Sequence, residues 1–511
     1  MNGAEVLISN AVKRGIEICF ANPGTTELPL VLAMDTVPGM RGVLCLHENV
    51  ATGAADGYAR MAGKPAMCLL HLGPGFANGL TNLHNARRAG TPIVVVIGEH
   101  ASWHRAADPL LHSDIEALAG TVSAFVRRCR GAETIAADVN AAIDAALGNG
   151  IATVIVPHDA QIGEVVAAGQ PAGALQARKS YSAARVDPCA KALKAGRCAL
   201  LLGGDALSEA GQMLAGRIAA ATGADLIAET FFARMERGAG LPHIKKLAYF
   251  PDLAIALTRR YEKIVLAGTR RPVAFFGYPG VPSHLTSEQQ TVMLAAPHED
   301  VIGAFRALVG ELNAPASFEP QRGSRPDMPR GDLNALSVSA VIARLQPEHA
   351  IVMDEALTVG TPYFELSMGA PRFTQLELTG GAIGQGPSAA AGAALGAPNR
   401  KIINFQSDGC GAYSVQAFWS EARENLDVVT IIGSNRSYNI LNVELQRAGV
   451  ATPGANARAL ASLDQPHLDW VKIGEGFGVP SIAVDTVEGL ARALDHALSQ
   501  NGPRLIEAVM G

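Results

Sequence analysis

The sequence predicts an α/β protein built from three doubly wound parallel-sheet domains. Short apolar runs recur along the chain without polar alternation, which is typical of strands buried on both faces. Helical patterns lie between these runs, and such alternation favours parallel sheets whose ligands bind beyond the carboxyl ends of the strands. Two segments rich in proline, glycine and charge, 166–188 and 313–333, read as linkers and divide the 511 residues into three pieces of domain size.

The first predicted domain covers residues 1–165, the second 186–315 and the third 334–511. Apolar runs predict buried strands, in chain order, at 66–71, 92–98, 152–157, 198–204, 263–268, 272–278, 350–355, 401–406, 428–433 and 504–510. In the first domain the periodicity predicts helices over 50–62 and 134–148.

Composition narrows the classes of function. Apolar residues make up 48% of the chain and charged residues 17%, the net charge is −5, and no long basic block occurs, which argues against nucleic acid and acidic membranes as partners. No apolar stretch is long enough to span a bilayer, and charged residues interrupt any signal-peptide pattern at the N-terminus. Seven scattered cysteines without a CxxC pair indicate a reducing compartment. We therefore expect a cytoplasmic protein.

Residues 401–441 carry the most informative motif. A predicted strand ends at Asp408, a tight turn follows, and the next strand ends just before Asn435, with 26 residues between the two side chains. One helical crossover of that length makes the strands neighbours in a parallel sheet, so two hard oxygen ligands converge as magnesium prefers. The alternative is that Asp408 caps a helix and Asn435 forms a turn.

A second motif, VLCLHENVATGAADGYARMAGKP, spans residues 43–65. A strand ends near Leu46, and Glu48 begins a helix rich in small residues. Taken alone, the segment allows Glu48 to be a first-turn acid that complements the helix dipole.

Together the two motifs resemble the thiamine diphosphate superfamily of pyruvate decarboxylase, acetolactate synthase and benzoylformate decarboxylase. That superfamily's metal signature begins Gly-Asp-Gly and ends Asn-Asn; here Ser407 and Ser434 replace its first glycine and first asparagine. The resemblance implies that thiamine diphosphate and Mg²⁺ bind here, with Asp408, Asn435 and a backbone oxygen at Ser437 as the metal ligands. The resemblance further implies that the first domain binds the pyrimidine ring of the cofactor, that the second is the central domain, and that the third binds the diphosphate.

The resemblance also assigns a role to Glu48. In the superfamily the matching glutamate hydrogen-bonds the aminopyrimidine ring of the cofactor and promotes the tautomer that removes the thiazolium C2 proton. One cofactor bridges two domain types from different subunits, which implies a homodimer at minimum and a homotetramer as a dimer of dimers. Further cofactor contacts are implied at Thr358, Gly381, Ile383, Gly409, Cys410 and Tyr438.

Substrate-facing residues follow from benzoylformate decarboxylase within the same superfamily. Thr25 aligns with a serine that contacts the substrate carboxylate, and His71 aligns with a catalytic histidine, so we expect proton transfer at His71. Helix capping remains the alternative for Thr25, and a purely structural role at the end of a strand remains the alternative for His71. A second catalytic histidine of that enzyme falls near Gly277 and has no counterpart here. Histidines nearby in sequence are His104, His112 and His284.

The third domain contributes a loop and one acid. LTGGAIGQGP, residues 378–387, resembles the loop that bends the cofactor, with Ile383 as the apolar wedge and the Gly381 carbonyl on the amino group. Thr358 either contacts the diphosphate or caps a helix. Glu444 aligns with an aromatic pocket position, where an inward carboxylate favours a polar or cationic partner; a surface position is the alternative.

These residues predict decarboxylation of a 2-oxo acid with carboligase capacity, acting on small 2-oxo acids and aldehydes. An acetolactate synthase-type carboligase is the alternative, because both share the first intermediate. A flavin-containing 2-oxo acid oxidase is less favoured, since LLLGGDALSEAG at 200–211 lacks GxGxxG. Retention of Glu48, Asp408 and Asn435 argues against an inert binding protein.

Overall fold

The computed structural model describes residues 1–165 and 180–510 of the chain. Residues 166–179 of the first predicted linker lie outside the described residues, and in the second linker residues 314–331 form neither helix nor strand. Two compact units are found among the described residues: the first holds 1–165, 328–363 and 378–510, and the second holds 180–327 and 364–377. The boundaries of the three predicted domains stay a prediction.

The described part of the chain contains strands at Ile18–Asn22 (β1), Arg41–Leu44 (β2), Ala66–His71 (β3), Ile93–Glu99 (β4), Phe125–Arg128 (β5), Ile151–Pro157 (β6), Cys198–Leu202 (β7), Asp225–Ala228 (β8), Met235–Arg237 (β9), Lys245–Lys246 (β10), Lys263–Ala267 (β11), Thr291–Ala295 (β12), Ile351–Glu355 (β13), Phe373–Glu377 (β14), Ile402–Ser407 (β15), Val428–Ser434 (β16), Ser481–Val484 (β17) and Arg504–Val509 (β18).

Helices in the same residues run over Gly3–Lys13 (α1), Leu28–Thr36 (α2), Glu48–Ala62 (α3), Leu72–Ala89 (α4), Ile115–Gly120 (α5), Ile135–Asn149 (α6), His158–Ile162 (α7), Val186–Lys194 (α8), Glu209–Thr222 (α9), Pro251–Thr258 (α10), Val301–Glu311 (α11), Ala335–Leu345 (α12), Tyr363–Leu366 (α13), Gly386–Gly396 (α14), Asp408–Gly411 (α15), Gln416–Arg423 (α16), Asn439–Arg447 (α17), Ala455–Ala461 (α18), Trp470–Gly476 (α19) and Val487–Ser499 (α20). None of these helices is both long enough and apolar enough to cross a membrane.

The first unit contains a six-stranded parallel sheet in the order β2-β1-β3-β4-β6-β5. After β1 the chain continues to β2, which lies on one side of β1 in the sheet. After β3 it continues to β4, which lies on the opposite side. The strand order therefore reverses between β1 and β3, and ligands of doubly wound sheets bind in the crevice at such a reversal.

A second parallel run of strands in the first unit has the order β17-β18-β16-β15-β13. Strands β15 and β16 are direct neighbours, with Ser407 paired to Gly433, as the crossover length predicts. The side chains that follow these two strands therefore emerge at the same edge of the sheet.

The second unit contains the parallel sheet β10-β8-β7-β11-β12 and a short antiparallel pair, β9 with β14. The three parallel sheets confirm the predicted fold class. The strand predicted over 272–278 is wrong: this segment is a loop with one isolated bridge, between Val273 and His284. The two phenylalanines of this segment are not buried in a sheet: Phe275 and Phe276 are exposed, and their ring centroids lie 4.7 Å apart.

Helices α3 and α14 cross in close contact within the first unit. A β-carbon added at Gly57 would lie 1.9 Å from the Ala389 carbonyl oxygen, and one added at Gly392 would lie 1.9 Å from the Ala54 carbonyl oxygen. Only glycine permits backbone to meet backbone so closely. The small residues of both helices thus join the two halves of the first unit.

Candidate active site

The reversal between β1 and β3 holds a buried carboxylate beside a histidine. One turn of 3-10 helix, Thr25–Glu27, follows β1 and places the Glu27 side chain in the interior, where it is fully buried. Its Oε2 atom accepts the Gly24 N–H at 2.8 Å and lies 2.7 Å from Nδ1 of His71. In this contact Nδ1 is the ring nitrogen that faces the carboxylate, so Nε2 is the ring nitrogen left for another partner.

Two glycines make room for this pair. A β-carbon at Gly98 would lie 1.9 Å from Oε1 of Glu27, and one at Gly24 would lie 2.3 Å from Nδ1 of His71. The Thr26 hydroxyl donates to Glu27 Oε1 at 2.8 Å and lies 3.1 Å from His71 Nδ1. The local sequence is therefore fitted to hold the imidazole in one orientation.

Glu48 lies next to this pair. It is the first residue of α3 and is 9% exposed, and its Oε2 atom accepts Nδ2 of Asn78 at 3.0 Å. A β-carbon added at Gly75 would lie 3.0 Å from Glu48 Oε1 and 3.4 Å from the His71 β-carbon. Glu48 and His71 thus flank one glycine at the start of α4.

The second candidate cluster lies at the ends of β15 and β16. Asp408 is buried, with Oδ1 accepting the Gly409 N–H at 2.8 Å and Oδ2 accepting the Arg436 N–H at 2.5 Å. Burial raises the pKa of the Asp408 carboxyl above its usual range, and these amides oppose the rise. The Asn435 Oδ1 atom accepts the Ser437 N–H at 3.0 Å, which closes the turn after β16.

These residues fit a magnesium–diphosphate group by their chemistry. A carboxylate and an amide oxygen stand at adjacent strand ends, and hard oxygen donors together with phosphate oxygens are what Mg²⁺ binds. A cation beside the buried Asp408 would offset the cost of desolvating its charge. Tyr438 packs over the neighbouring turn, since a β-carbon at Gly409 would lie 2.4 Å from its ring.

The loop 378–387 is clamped by side chains of α4. Asn85 Nδ2 donates to the Ala382 carbonyl at 2.8 Å, and Asn82 Nδ2 donates to the Gly384 carbonyl at 3.3 Å. His84 Nε2 lies 3.1 Å from the Gly380 carbonyl oxygen. The predicted cofactor residues Gly381 and Ile383 lie between these anchors, so α4 fixes the backbone on which they stand.

Glu355 secures the other end of the same loop. Its carboxylate, at the end of β13, accepts the N–H groups of Gly384, Gln385 and Gly386 at 2.8, 3.2 and 2.6 Å. These amides begin α14, where a negative charge complements the helix dipole. Burial raises the pKa of Glu355 to about 7.

The remaining predicted residues occupy varied positions. Thr25 is exposed, Thr358 lies half-buried in the turn after β13, and Glu444 is partly exposed on α17. Cys410 is buried, which raises the pKa of its thiol well above the usual range.

Three histidines were possible replacements for the absent second histidine. His284 belongs to the second unit, where it is exposed. His104 is exposed in the first unit, and the half-buried His112 bonds Asp108 through Nδ1 at 3.0 Å.

Sequence reasoning missed Glu27, Thr26 and Asn78. The spacing from Gly24 to Glu27 has the form of a helix-capping box, so the sequence explains Glu27 as a capping residue. It gives no indication that the same carboxylate also contacts His71. The signal that could have found them is topological: β1 and β3 both end at the reversal of the strand order.

Two parallel sheets of the first unit carry buried carboxylates at their carboxyl edges, and this arrangement is typical of α/β enzymes that bind ligands beyond the strand ends. The chain belongs to the thiamine pyrophosphate enzyme family, thiamine pyrophosphate being another name for thiamine diphosphate. The family's N-terminal TPP binding domain matches residues 1–118, and its C-terminal TPP binding domain matches residues 359–508.

Named relatives span almost the whole chain. A Mycobacterium tuberculosis protein named "Putative acetolactate synthase large subunit IlvX" is 49% identical and covers 100% of this chain and 99% of its own length. Benzoylformate decarboxylase from Pseudomonas aeruginosa is 28% identical over 97% of this chain and 96% of its own. The solved Rhodococcus jostii 4-hydroxybenzoylformate decarboxylase has the same fold, with a TM-score of 0.87 at 23% identity and coverage of 100% and 99%.

Proposed function

We propose that this thiamine diphosphate enzyme, with Mg²⁺, decarboxylates a small 2-oxo acid to an aldehyde and can join the product to a second carbonyl. The observation that carries the proposal is the pairing of Glu48 and His71 across Gly75 at the strand reversal. An activating carboxylate and an oriented imidazole at one place suit a reaction that moves protons at a carbonyl carbon and its oxygen.

Each residue has a role in this proposal. Glu48 would hold the aminopyrimidine ring of the cofactor and share a proton with it, and Asn78 fixes the orientation of the carboxylate. His71 holds its Nε2 atom toward the substrate because Glu27 binds Nδ1. Asp408 and Asn435 hold the metal and the diphosphate. The bound cofactor supplies the electron sink that the side chains lack.

A carboligase of the acetolactate synthase type is the second candidate. The observation that favours it is the name of the 49% identical relative, which describes an acetolactate synthase large subunit. The two candidates differ in the fate of the fragment that remains after carbon dioxide is lost: it is protonated and released as an aldehyde, or it is transferred to the carbonyl of a second 2-oxo acid.

A panel of 2-oxo acids tests the proposal. The purified protein, with thiamine diphosphate and Mg²⁺, is given pyruvate, 2-oxobutanoate, benzoylformate and a cationic 2-oxo acid, each with and without added benzaldehyde. We expect carbon dioxide and an aldehyde from at least one acid, and a hydroxyketone when the aldehyde is added. Condensation without free aldehyde supports the carboligase instead. Oxygen uptake in place of aldehyde, or no turnover of any acid, contradicts both.

We also propose that each site is shared between two copies of the chain in a homodimer, itself paired as a homotetramer. Co-expressed Glu48→Gln and Asp408→Ala chains then form mixed dimers in which one site carries both changes and the other carries neither. We expect the mixture to recover activity that each variant lacks alone. Failure to recover, with mixed dimers demonstrated by two affinity tags, contradicts the shared site.

A further inference from the structure

His100 stands at the same sheet edge as the Glu27–His71 pair. It follows the last residue of β4, the strand next to β3, and His71 is paired with Gly98 across the two strands. His100 therefore lies two residues beyond Gly98, the partner of His71. Residues i and i+2 of an extended segment point to the same face of a sheet.

The ring of His100 has an unused polar atom. Its Nε2 atom is buried and has no hydrogen-bond partner within residues 1–165 and 180–510. The adjacent Glu99 does not accept from the ring: its carboxylate binds Arg128 at 2.7 Å and the backbone N–H of His100 at 2.9 Å. A buried nitrogen without a partner costs free energy unless a ligand satisfies it.

The neighbours of His100 fix the position of its ring and contribute to a lowered pKa. The ring of His104 packs edge-on against it at 6.0 Å between centroids, and Trp103 covers His104 at 5.4 Å. Burial lowers the pKa of His100, Glu99 opposes this, and His104, His112 and His71 lower the pKa further. A neutral imidazole with a free nitrogen is a base at neutral pH.

We propose that His100 is a second catalytic histidine of the reaction, filling the role for which the superfamily resemblance gave no counterpart; this rests on the proposed function. Its Nε2 atom accepts the proton of the substrate-derived hydroxyl when the product carbonyl re-forms. The O–H bond would break and an N–H bond would form. The O–H electron pair would become the second C–O bond while the bond between that carbon and the cofactor breaks and its electron pair goes to the cofactor as the electron sink. The proton would then return from Nε2 to the carbonyl oxygen of the next substrate, and the proton that replaces carbon dioxide on the carbon would come from solvent.

The charged and titratable groups around His100 come from several elements. Its own segment supplies Glu99, His104 and Arg105, the latter 3.6 Å from Glu99. Strand β5 supplies Arg128, and the loop before α5 supplies His112 with its partner Asp108. Strand β3 supplies His71, backed by Glu27. No group of three or more His, Cys, Asp or Glu residues suited to a metal occurs among the described residues.

The test compares His100→Gln and His100→Asn with the wild type as holoenzymes, using the 2-oxo acid that the wild type turns over best. A matched control is His496→Gln, in the last turn of α20 and exposed. We expect kcat to fall by ~10²-fold or more in both His100 variants, with KM and thiamine diphosphate affinity within about threefold. The acidic limb of the kcat–pH profile should also flatten, which a structural role would not cause.

The outcomes separate the two proposals. Unchanged kcat and an unchanged pH profile in both His100 variants overturn the role of His100 while leaving the proposed function intact. If one substitution prevents folding, judged by loss of cofactor binding, the other decides. A wild type inert toward every 2-oxo acid overturns the proposed function, and the role of His100 with it.

Discussion

Glu27 and His71 are joined by a 2.7 Å contact between a fully buried carboxylate oxygen and Nδ1 of the imidazole. The contact crosses from the turn after β1 to the end of β3, so it spans the reversal of the strand order. It holds the imidazole in one orientation and leaves Nε2 as the ring nitrogen that, in the proposed function, faces the substrate. A carboxylate behind a histidine is a common means of orienting a proton-transfer group.

Replacing Glu27 by glutamine should lower kcat by about 10- to 100-fold, because the amide keeps the shape but removes the charge that stabilises a protonated His71. The affinity for thiamine diphosphate should stay within about threefold of the wild-type value, since Glu27 contacts His71 rather than Asp408 or Asn435. Steady-state kinetics and calorimetry measure the two quantities. Glu488→Gln, exposed in the first turn of α20, is the control, and equal kcat in both variants would refute the positioning role.

Alanine at Gly98 should reproduce this loss of kcat without replacing a titratable group. The added β-carbon would lie 1.9 Å from Glu27 Oε1, so the carboxylate must move away from His71. We expect destabilisation of about 1–3 kcal/mol from overpacking, together with a kcat as low as that of Glu27→Gln. Gly148→Ala, on an open face of α6, is the matched control. Full activity in Gly98→Ala would mean that the pair tolerates displacement.

The crossing of α3 and α14 should be equally intolerant of added volume. Gly57→Ala and Gly392→Ala each bring a methyl group to within 1.9 Å of a backbone carbonyl oxygen, which cannot move aside. We expect each to lower the unfolding free energy by about 1–3 kcal/mol, read as a lower thermal midpoint. Gly310→Ala, where nothing lies within 4 Å, should leave the midpoint unchanged or raise it. Equal midpoints for all three would disprove the close packing.

The adjacency of β15 and β16, the strands that precede Asp408 and Asn435, was predictable because a single crossover of known length leaves few topologies for two strands. The start of α3 at Glu48 was likewise predictable from the end of an apolar strand and the small-residue helix that follows. The central loop at 272–278 was not: its aromatic residues have the composition of a strand, but Pro and Gly on both sides and the exposure of Phe275 and Phe276 place it outside the sheet.

Glu27 and His100 show a different limit of sequence reasoning. Glu27 is a single acid after β1, and its spacing is that of an ordinary helix cap. His100 is a single histidine after β4, in a sequence typical of a surface turn. Their significance comes from which strands are neighbours, and that depends on the order β1-β3-β4 rather than on local sequence. Contacts between strands distant in sequence carry no periodic signal.

The unfolding free energy of the cofactor-free protein should decrease as the pH rises from 5 to 7, and the ionisation of Glu355 should account for part of the decrease. Its pKa is raised by burial to about 7 in the folded state, against 4.5 otherwise. Below the lower value both states hold the proton; between the two values the folded state holds it and the unfolded chain releases it. The unfolding free energy therefore decreases as pH rises and stops decreasing above about 7.

Thermal midpoints of wild type and Glu355→Gln, taken from pH 5 to pH 8 at fixed ionic strength, measure this effect. The variant should have a lower midpoint at pH 5, because glutamine cannot accept all three amides at the start of α14. Its midpoint should depend less on pH than that of the wild type. Parallel curves would show that Glu355 does not titrate in this range.

The most direct test of the account compares Glu48→Gln with the wild type in two measurements on the same preparations: thiamine diphosphate affinity by calorimetry with Mg²⁺, and kcat with the best 2-oxo acid. Glutamine preserves the size of the side chain and its contact with Asn78 but cannot share a proton. We expect affinity within about tenfold of the wild type and kcat reduced by ~10³-fold. A variant that binds the cofactor and turns over at the wild-type rate would contradict the assignment of Glu48 and, with it, the active site described above.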